Sequence, residues 1–301
     1  MVQRSRLSIS KEKRSWNALP TLTLNKGTLP YKNLITMSHK SHEMKVEDYM
    51  TCNPITVQQD VSAPDAITIM ATKGIGNLIV TEDLTGPVGI LTERELIEYL
   101  SLNGRIPNLP LKDVLGYQSF DSITPDYSIL AAANIMISEK ARLLVFNADN
   151  TLVGIITASD MVRAFSKTED NPSLEHTMNK KIYDLKFTDT VLGAIKLMDT
   201  ERIGSVIIND QKKPYGIFTE RDLLTRILLN DVDLEDKVGR HCSTPLIMAP
   251  ISTRAKKAAE IMTSKKIKRL PLTDEGGPIA MVTARDLVEA FGVSASSDTK
   301  K

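Results

Sequence analysis

Four short strings recur along the chain at a nearly constant interval: GILTERE (Gly89–Glu95), GIITASD (Gly154–Asp160), GIFTERD (Gly216–Asp222) and AMVTARD (Ala280–Asp286). Their threonines, Thr92, Thr157, Thr219 and Thr283, lie roughly 60 residues apart, and a methionine (Met70, Met136, Met198, Met262) precedes each by about 21 residues. Between these landmarks sit IGNLIV, ARLLVF, IGSVII and IKRLPL at matching offsets. Self-similarity at a fixed period constrains a fold more tightly than composition does. Each period must be one supersecondary unit, and a unit this short cannot bury its apolar face without a neighbour.

Each repeat carries the same local signals. A short extended segment, such as Ile55–Val57, follows the turn signal Asn53–Pro54. A helix then begins after a candidate N-cap: Ser62, Ser128, Thr188 or Ser252. In the fourth repeat Ala255, Ala258, Ala259 and Met262 recur at helical spacing and predict a buried small-residue face. Two apolar strands come next, for example Leu78–Val80 and Val88–Leu91 joined by the turn-rich TEDLTGP. A second helix runs from the threonine to Leu102, Phe165, Leu229 or Phe291. The order strand–helix–strand–strand–helix leaves an apolar face uncovered, so repeats 1 and 2 are expected to pair, and likewise 3 and 4. The polar SKTEDNP (Ser166–Pro172) reads as the linker between these pairs. The chain thus divides into a basic tail (1–43), repeats at 44–104, 105–168, 169–232 and 233–293, and a short tail (294–301), with both tails expected to be disordered.

The unit length, the element order and the Gly-hydrophobic-hydrophobic-Thr-x-x-Asp ending resemble the cystathionine-β-synthase (CBS) domain. Four in tandem imply an α/β fold of the α+β CBS type, paired into two Bateman modules. IKRLPL is also similar to the matching segment of the γ subunit of AMP-activated protein kinase, where a basic pair touches nucleotide phosphates. The resemblance implies a non-catalytic regulatory protein. It would bind an adenine nucleotide (AMP, ADP or ATP, or S-adenosylmethionine in its place) and signal to a partner by moving one module against the other.

Thr-x-x-Asp at a helix start also has a purely structural explanation. It is a capping box, in which threonine accepts a first-turn N–H and the acid reaches back to the cap N–H. That box favours Glu or Gln, yet three repeats carry the shorter Asp, which in a cleft can accept two hydrogen bonds from ribose hydroxyls. The helix N-terminus offers free N–H groups to a phosphate. In repeat 4 the candidates are Thr283, Arg285 and Asp286, joined by Lys268 and Arg269; Arg269 lies outside the box and is expected to serve only ligand or solvent. Repeat 3 offers Thr219, Arg221 and Asp222 beside the uncharged Gly204–Ser205. Repeat 2 has Thr157 and Asp160, with Ser159 in place of the arginine and Arg142 as the substitute charge. Repeat 1 departs most, and its Thr92, Arg94 and Glu95 are weaker candidates. Repeats 3 and 4 are expected to build the better anion site.

Other chemistries find no support. The four histidines (His39, His42, His176, His241) are scattered, and His241–Cys242 lacks further ligands at zinc spacing. Gly74-x-Gly76 has no third glycine, and neither a P-loop nor a Gly-x-Ser-x-Gly elbow occurs. The repeats leave no room for a catalytic domain. Aromatics make up 5% of residues, too few for a base-stacking platform, and a net charge of +1 gives no global field for nucleic acid. Residues 1–43, however, hold eight Lys/Arg against two acids. That segment lacks a signal-peptide h-region; its composition permits a transit peptide but fits a disordered tail, or an extension ahead of a start at Met37 or Met44. Two cysteines, Cys52 and Cys242, and no apolar run of about 18 residues fit a soluble cytoplasmic protein. A compact monomer or a homodimer is expected, the dimer slightly favoured. Two other functions remain open: a scaffold of repeats without a ligand, and a regulator tethered to nucleic acid through the basic tail.

Overall fold

The computed structural model describes residues 44–82, 86–115, 120–139 and 142–297. The basic N-terminal tail lies outside them. Repeat 1 contains β1 (Thr51–Cys52), β2 (Thr56–Gln58), α1 (Ala63–Lys73), β3 (Asn77–Thr81), β4 (Pro87–Thr92) and α2 (Glu93–Asn103). Repeat 2 has β5 (Asp121–Ile123), α3 (Ile129–Glu139), β6 (Leu143–Phe146), β7 (Leu152–Ile156) and α4 (Ala158–Phe165). Repeat 3 has β8 (Asp184–Lys186), α5 (Val191–Thr200), β9 (Ser205–Asp210) and β10 (Lys213–Thr219). It ends in an irregular helix, α6, that passes from an α turn (Glu220–Asp222) through a π stretch (Leu223–Ile227) into a 3-10 turn (Leu228–Asn230). Repeat 4 has β11 (Ala249–Pro250), α7 (Ala255–Lys265), β12 (Arg269–Asp274), β13 (Gly277–Thr283) and α8 (Ala284–Ser297). In every repeat the strand just before the first helix (β2, β5, β8 or β11) runs parallel to the next strand, which is antiparallel to the last.

Helix starts follow local chemistry, with two departures from the pattern. Ser62 accepts a hydrogen bond from Asp65 N, and Ser128 Oγ accepts one from Ala131 N at 3.1 Å. In repeat 3 the cap is Thr190 rather than Thr188, since Thr190 Oγ1 is the group that meets Gly193 N (3.0 Å). In repeat 4 the N-cap position falls on Arg254, two residues past Ser252, and it offers no capping oxygen. Asn171 supplies one instead: its Oδ1 accepts from Lys256 N at 3.1 Å, while the Arg254 guanidinium donates to Asn171 O at 2.6 and 2.9 Å. Glu169 pairs with Lys256 at 2.8 Å. The segment read as a linker is therefore docked onto α7 as its cap. Helix α8 also continues past Phe291 to Ser297, so the first residues of the expected C-terminal tail are helical. A Cβ on Gly292 would come within 2.8 Å of Ile137 Cδ1, so α8 lies directly on α3 there.

The apolar faces are covered in two different ways. Sheets pair repeat 1 with repeat 2: β1 adds to the edge of β7, with Thr51 opposite Ile155, and Ile79, Ile90, Leu144 and Ile155 form a shared core. Repeats 3 and 4 exchange backbone hydrogen bonds in the same manner, Asn179 with Met281 and Ile217 with Ser243. Helices make the complementary pairs. Ile97 and Leu100 of α2 pack with Val191, Ala194, Ile195 and Met198 of α5, which joins repeats 1 and 3. Ala258, Ala259 and Met262 of α7 and Leu287, Val288 and Phe291 of α8 pack with Ala132, Ala133, Met136, Met161 and Val162, which joins repeats 2 and 4. Phe165 and Phe291 stack there at 4.5 Å between ring centroids. Each repeat thus touches one neighbour through its sheet and another through its helices.

Candidate functional site

All four Thr-x-x-Asp/Glu motifs close a capping box. Thr157 N, Thr219 N and Thr283 N donate to Asp160, Asp222 and Asp286 at 2.9, 2.9 and 2.7 Å. The shorter aspartate therefore spans the box, and its presence alone does not set it aside for ribose. One carboxylate oxygen is left over in each. On Asp160 it meets Arg163 (3.2 Å). On Asp222 it accepts from Ser243 Oγ (2.7 Å) and pairs with Arg226 Nε (3.2 Å). Burial raises the carboxyls of Glu95, Asp160 and Asp286 above their ordinary values, against the threonine hydrogen bonds that pull them down.

Where the four repeats converge there is a cavity of about 710 Å³. Ile217, Thr219, Arg221 and Asp222 line it from repeat 3, and Ser243, Met262, Lys266, Ile267, Lys268 and Arg269 from repeat 4. Repeat 1 adds Gly74 and Glu93; repeat 2 adds Ser159, Val162 and Arg163. The basic pair of repeat 4 therefore shares a cleft with the helix start of repeat 3, whereas Thr283, Arg285 and Asp286 of its own repeat are not among the wall residues. The assignment of Lys268 and Arg269 to the Asp286 site needs this correction. Its cause is the docking of repeat 3 on repeat 4, where Asn179 pairs with Met281 and Ile217 with Ser243, which brings the start of β12 to the helix start of repeat 3.

Several cations of the cleft are already engaged. Arg269 Nη2 sits 2.6 Å from Glu220 Oε2, contrary to the expectation that only ligand or solvent would meet it. Its guanidinium fills the space above Gly204, where a Cβ would fall 1.6 Å from Nη2. The strand start that reads as roomy in sequence is thus occupied. Glu93 takes Arg221 Nε (2.6 Å) and Lys268 Nζ (3.1 Å). Burial alone would raise the Glu93 carboxyl, but Lys268, Arg221 and Arg269 outweigh it and hold it below 4.5. Arg142 is half-buried near Glu95, Glu220, Arg285 and Glu93; desolvation, the largest influence, lowers its pKa. Arg94 serves another purpose. Its guanidinium donates to Met198 O (2.9 Å) and Asp199 O (3.2 Å) at the end of α5 and pairs with Asp199 Oδ1 (3.1 Å), so it caps a helix of repeat 3. Thr157 and Asp160 contribute to the cleft only through their neighbours Ser159, Val162 and Arg163. Sequence reasoning passed over Glu93, Glu220, Ser243 and Lys266. The signal for the acids was present: Glu follows the threonine in repeats 1 and 3, Ala in repeats 2 and 4.

Comparison with known proteins bears on every repeat. The profile of the CBS domain matches residues 46–102, 109–167, 174–229 and 238–293. Protein MJ1225 of Methanocaldococcus jannaschii is 28% identical over 191 residues, 57% of this chain and 68% of that one. A 33.4 kDa protein in the ribosomal RNA operon of Thermofilum pendens is 25% identical over 202 residues, 63% of this chain and 66% of that one. The matched stretch thus spans about two thirds of the length of these relatives. The crystal structure of MJ1225, described as a proposed archaeal homolog of γ-AMPK, shares the fold with a TM-score of 0.69, over 82% of this chain and 100% of that one, at 17% identity. A conserved protein from Pyrococcus horikoshii gives 0.57 over 82% and 99%, at 19% identity. With the profile matched in each repeat, the chain belongs to the CBS-domain family and carries four CBS domains in tandem.

Proposed function

We propose that this chain is a non-catalytic regulatory protein that binds an adenine nucleotide in the cleft between repeats 3 and 4 and reports its occupancy to a protein partner. The observation that carries the reading is the convergence of the Thr219–Asp222 helix start with Arg221, Lys266, Lys268 and Arg269 on one cavity. Oriented cations and a helix N-terminus suit phosphate. Val162, Ile217, Met262 and Ile267 offer an apolar wall to a base. A ribose hydroxyl reaches Asp222 by taking the place of the Ser243 hydroxyl on its second carboxylate oxygen. Because the cleft draws on all four repeats, a ligand there acts on the contacts between modules, and this is the route by which the signal leaves the site.

Calorimetric titration with AMP, ADP, ATP and adenosine tests this. The chain is expected to bind the nucleotides more tightly than adenosine. Asp222→Asn is expected to lose about tenfold or more of AMP affinity, since an amide cannot make the charge-assisted hydrogen bonds. Ligand at about 100 times its Kd is expected to add roughly 2.7 kcal/mol of stability. If no adenine compound, S-adenosylmethionine included, binds or raises the melting temperature, the scaffold function takes over.

A further inference from the structure

The cations that a phosphate needs in the central cleft are held by an acid of the chain itself. Glu93, the first residue of α2, belongs to repeat 1 and is 6% exposed. Its partners come from the other half of the chain: Arg221 from repeat 3 at 2.6 Å and Lys268 from repeat 4 at 3.1 Å. All three line the same cavity. Glu220, the corresponding residue of repeat 3, holds Arg269 at 2.6 Å. Repeats 2 and 4 carry Ala158 and Ala284 at this position.

The strand starts match this alternation. Repeats 1 and 3 have Gly76 and Gly204 where repeats 2 and 4 have Arg142 and Lys268. A Cβ on Gly76 would fall 2.7 Å from Glu93 Oε2 and 3.1 Å from Lys268 Nζ, so the glycine is a notch that admits the ion pair. Two repeats thus contribute acids and notches, and the other two contribute bases. The arrangement is also imperfect for Glu93. Its Oε1 is buried and makes no hydrogen bond among the described residues, so the close approach of Arg221 is ionic without good alignment. An oxyanion with better geometry gains where this carboxylate does not.

Building on the nucleotide reading of the cleft, we propose that Glu93 is an internal competitor for ligand phosphate. An anionic ligand takes Lys268 and Arg221 by displacing the Glu93 carboxylate, because a phosphate and a carboxylate on the same two cations repel each other. The exchange breaks the ion pairs that join repeat 1 to repeats 3 and 4. Glu93 therefore sets how much negative charge a ligand must bring, and its release is the first step by which occupancy alters the contact between modules.

The test is titration of AMP, adenosine and inorganic pyrophosphate into the full chain and into Glu93→Gln and Gly76→Ala. The second variant keeps every charge, and its methyl group, 2.7 Å from Glu93 Oε2 and 3.1 Å from Lys268 Nζ, wedges the pair apart with the closer clash on the carboxylate. Gly76 does not have a positive φ, so alanine fits its backbone. Both variants are expected to bind AMP and pyrophosphate about tenfold more tightly, with adenosine changed less than about twofold, as removal of a competing charge demands. Unchanged or weaker AMP and pyrophosphate binding in both variants overturns the competition while leaving nucleotide binding by the unaltered chain intact. If adenine compounds fail to bind but pyrophosphate binds more tightly to both variants, the competition stands and the adenine assignment falls.

Discussion

At the scale of single residues, two carboxylates of this protein, Asp286 and Glu93, have opposite pH behaviour. Burial raises Asp286 above its ordinary 3.8. Its contribution to stability is therefore complete below 3.8 and is lost as pH rises through the raised value. Glu93 is held below 4.5 by its cations despite burial, so its contribution is complete above 4.5 and is lost as pH falls through the lowered value. Thermal unfolding between about pH 3.5 and 7 separates them. The margin in melting temperature of the unaltered chain over Asp286→Asn is expected to shrink toward neutral pH. The margin over Glu93→Gln is expected to shrink toward acid. A common direction for both would mean that the Glu93 ion pairs do not govern its titration.

At the scale of elements, the junction of α2 with α5 explains why Arg94 is better regarded as a cap than as a ligand. The last carbonyls of a helix have no partners within it. Arg94 supplies donors to two of them from a different repeat, and its salt bridge to Asp199 fixes the guanidinium in place. Arg94→Ala is expected to cost about 2 kcal/mol in denaturant unfolding, the scale of hydrogen bonds from a charged group to acceptors left unpaired. AMP affinity measured by titration should stay as it is. A loss of affinity with unchanged stability would return Arg94 to the ligand site. Arg221 occupies the same position in repeat 3, with Nη1 approaching Gly74 at the end of α1, yet it also lines the cavity and pairs with Glu93. One motif position therefore has different duties in two repeats.

For the whole molecule, the two kinds of pairing have a consequence for assembly. Sheets join repeats 1 and 2, backbone hydrogen bonds join 3 and 4, and helices join 1 to 3 and 2 to 4, so each repeat has two neighbours within the one chain. Of the compact monomer and the homodimer expected from sequence, this pairing within one chain favours the monomer, and sedimentation equilibrium of the full chain is expected to give a single-chain mass at micromolar concentration. A fragment of residues 44–168 retains the sheet pairing but bares Ile97 and Leu100 on α2 and Phe165 on α4. That fragment is expected to dimerise, since a second copy is the nearest surface of matching shape. A monomeric fragment would show that the helical faces tolerate water and that the full chain is held together by its sheets and ion pairs.

The number of repeats, their element order, the alanine face of α7 and the threonine caps are all set by the sequence, because they rest on periodicity and on hydrogen bonds between residues three or four apart. The fourfold strings could even be placed in register by eye. Partner choice was a different matter. Every repeat presents the same kinds of apolar face, so a periodic pattern does not say which face meets which repeat. The ion pairs Glu93–Lys268 and Glu220–Arg269 join residues distant in sequence, and nothing local announces them beyond the alternation of Glu and Ala after the threonine. Even the cap of α7 comes from Asn171, far upstream. Local chemistry therefore determined what each repeat is. Only the docking of sheets and helices decided that the basic pair of repeat 4 faces the helix of repeat 3, with an acid of repeat 1 between them.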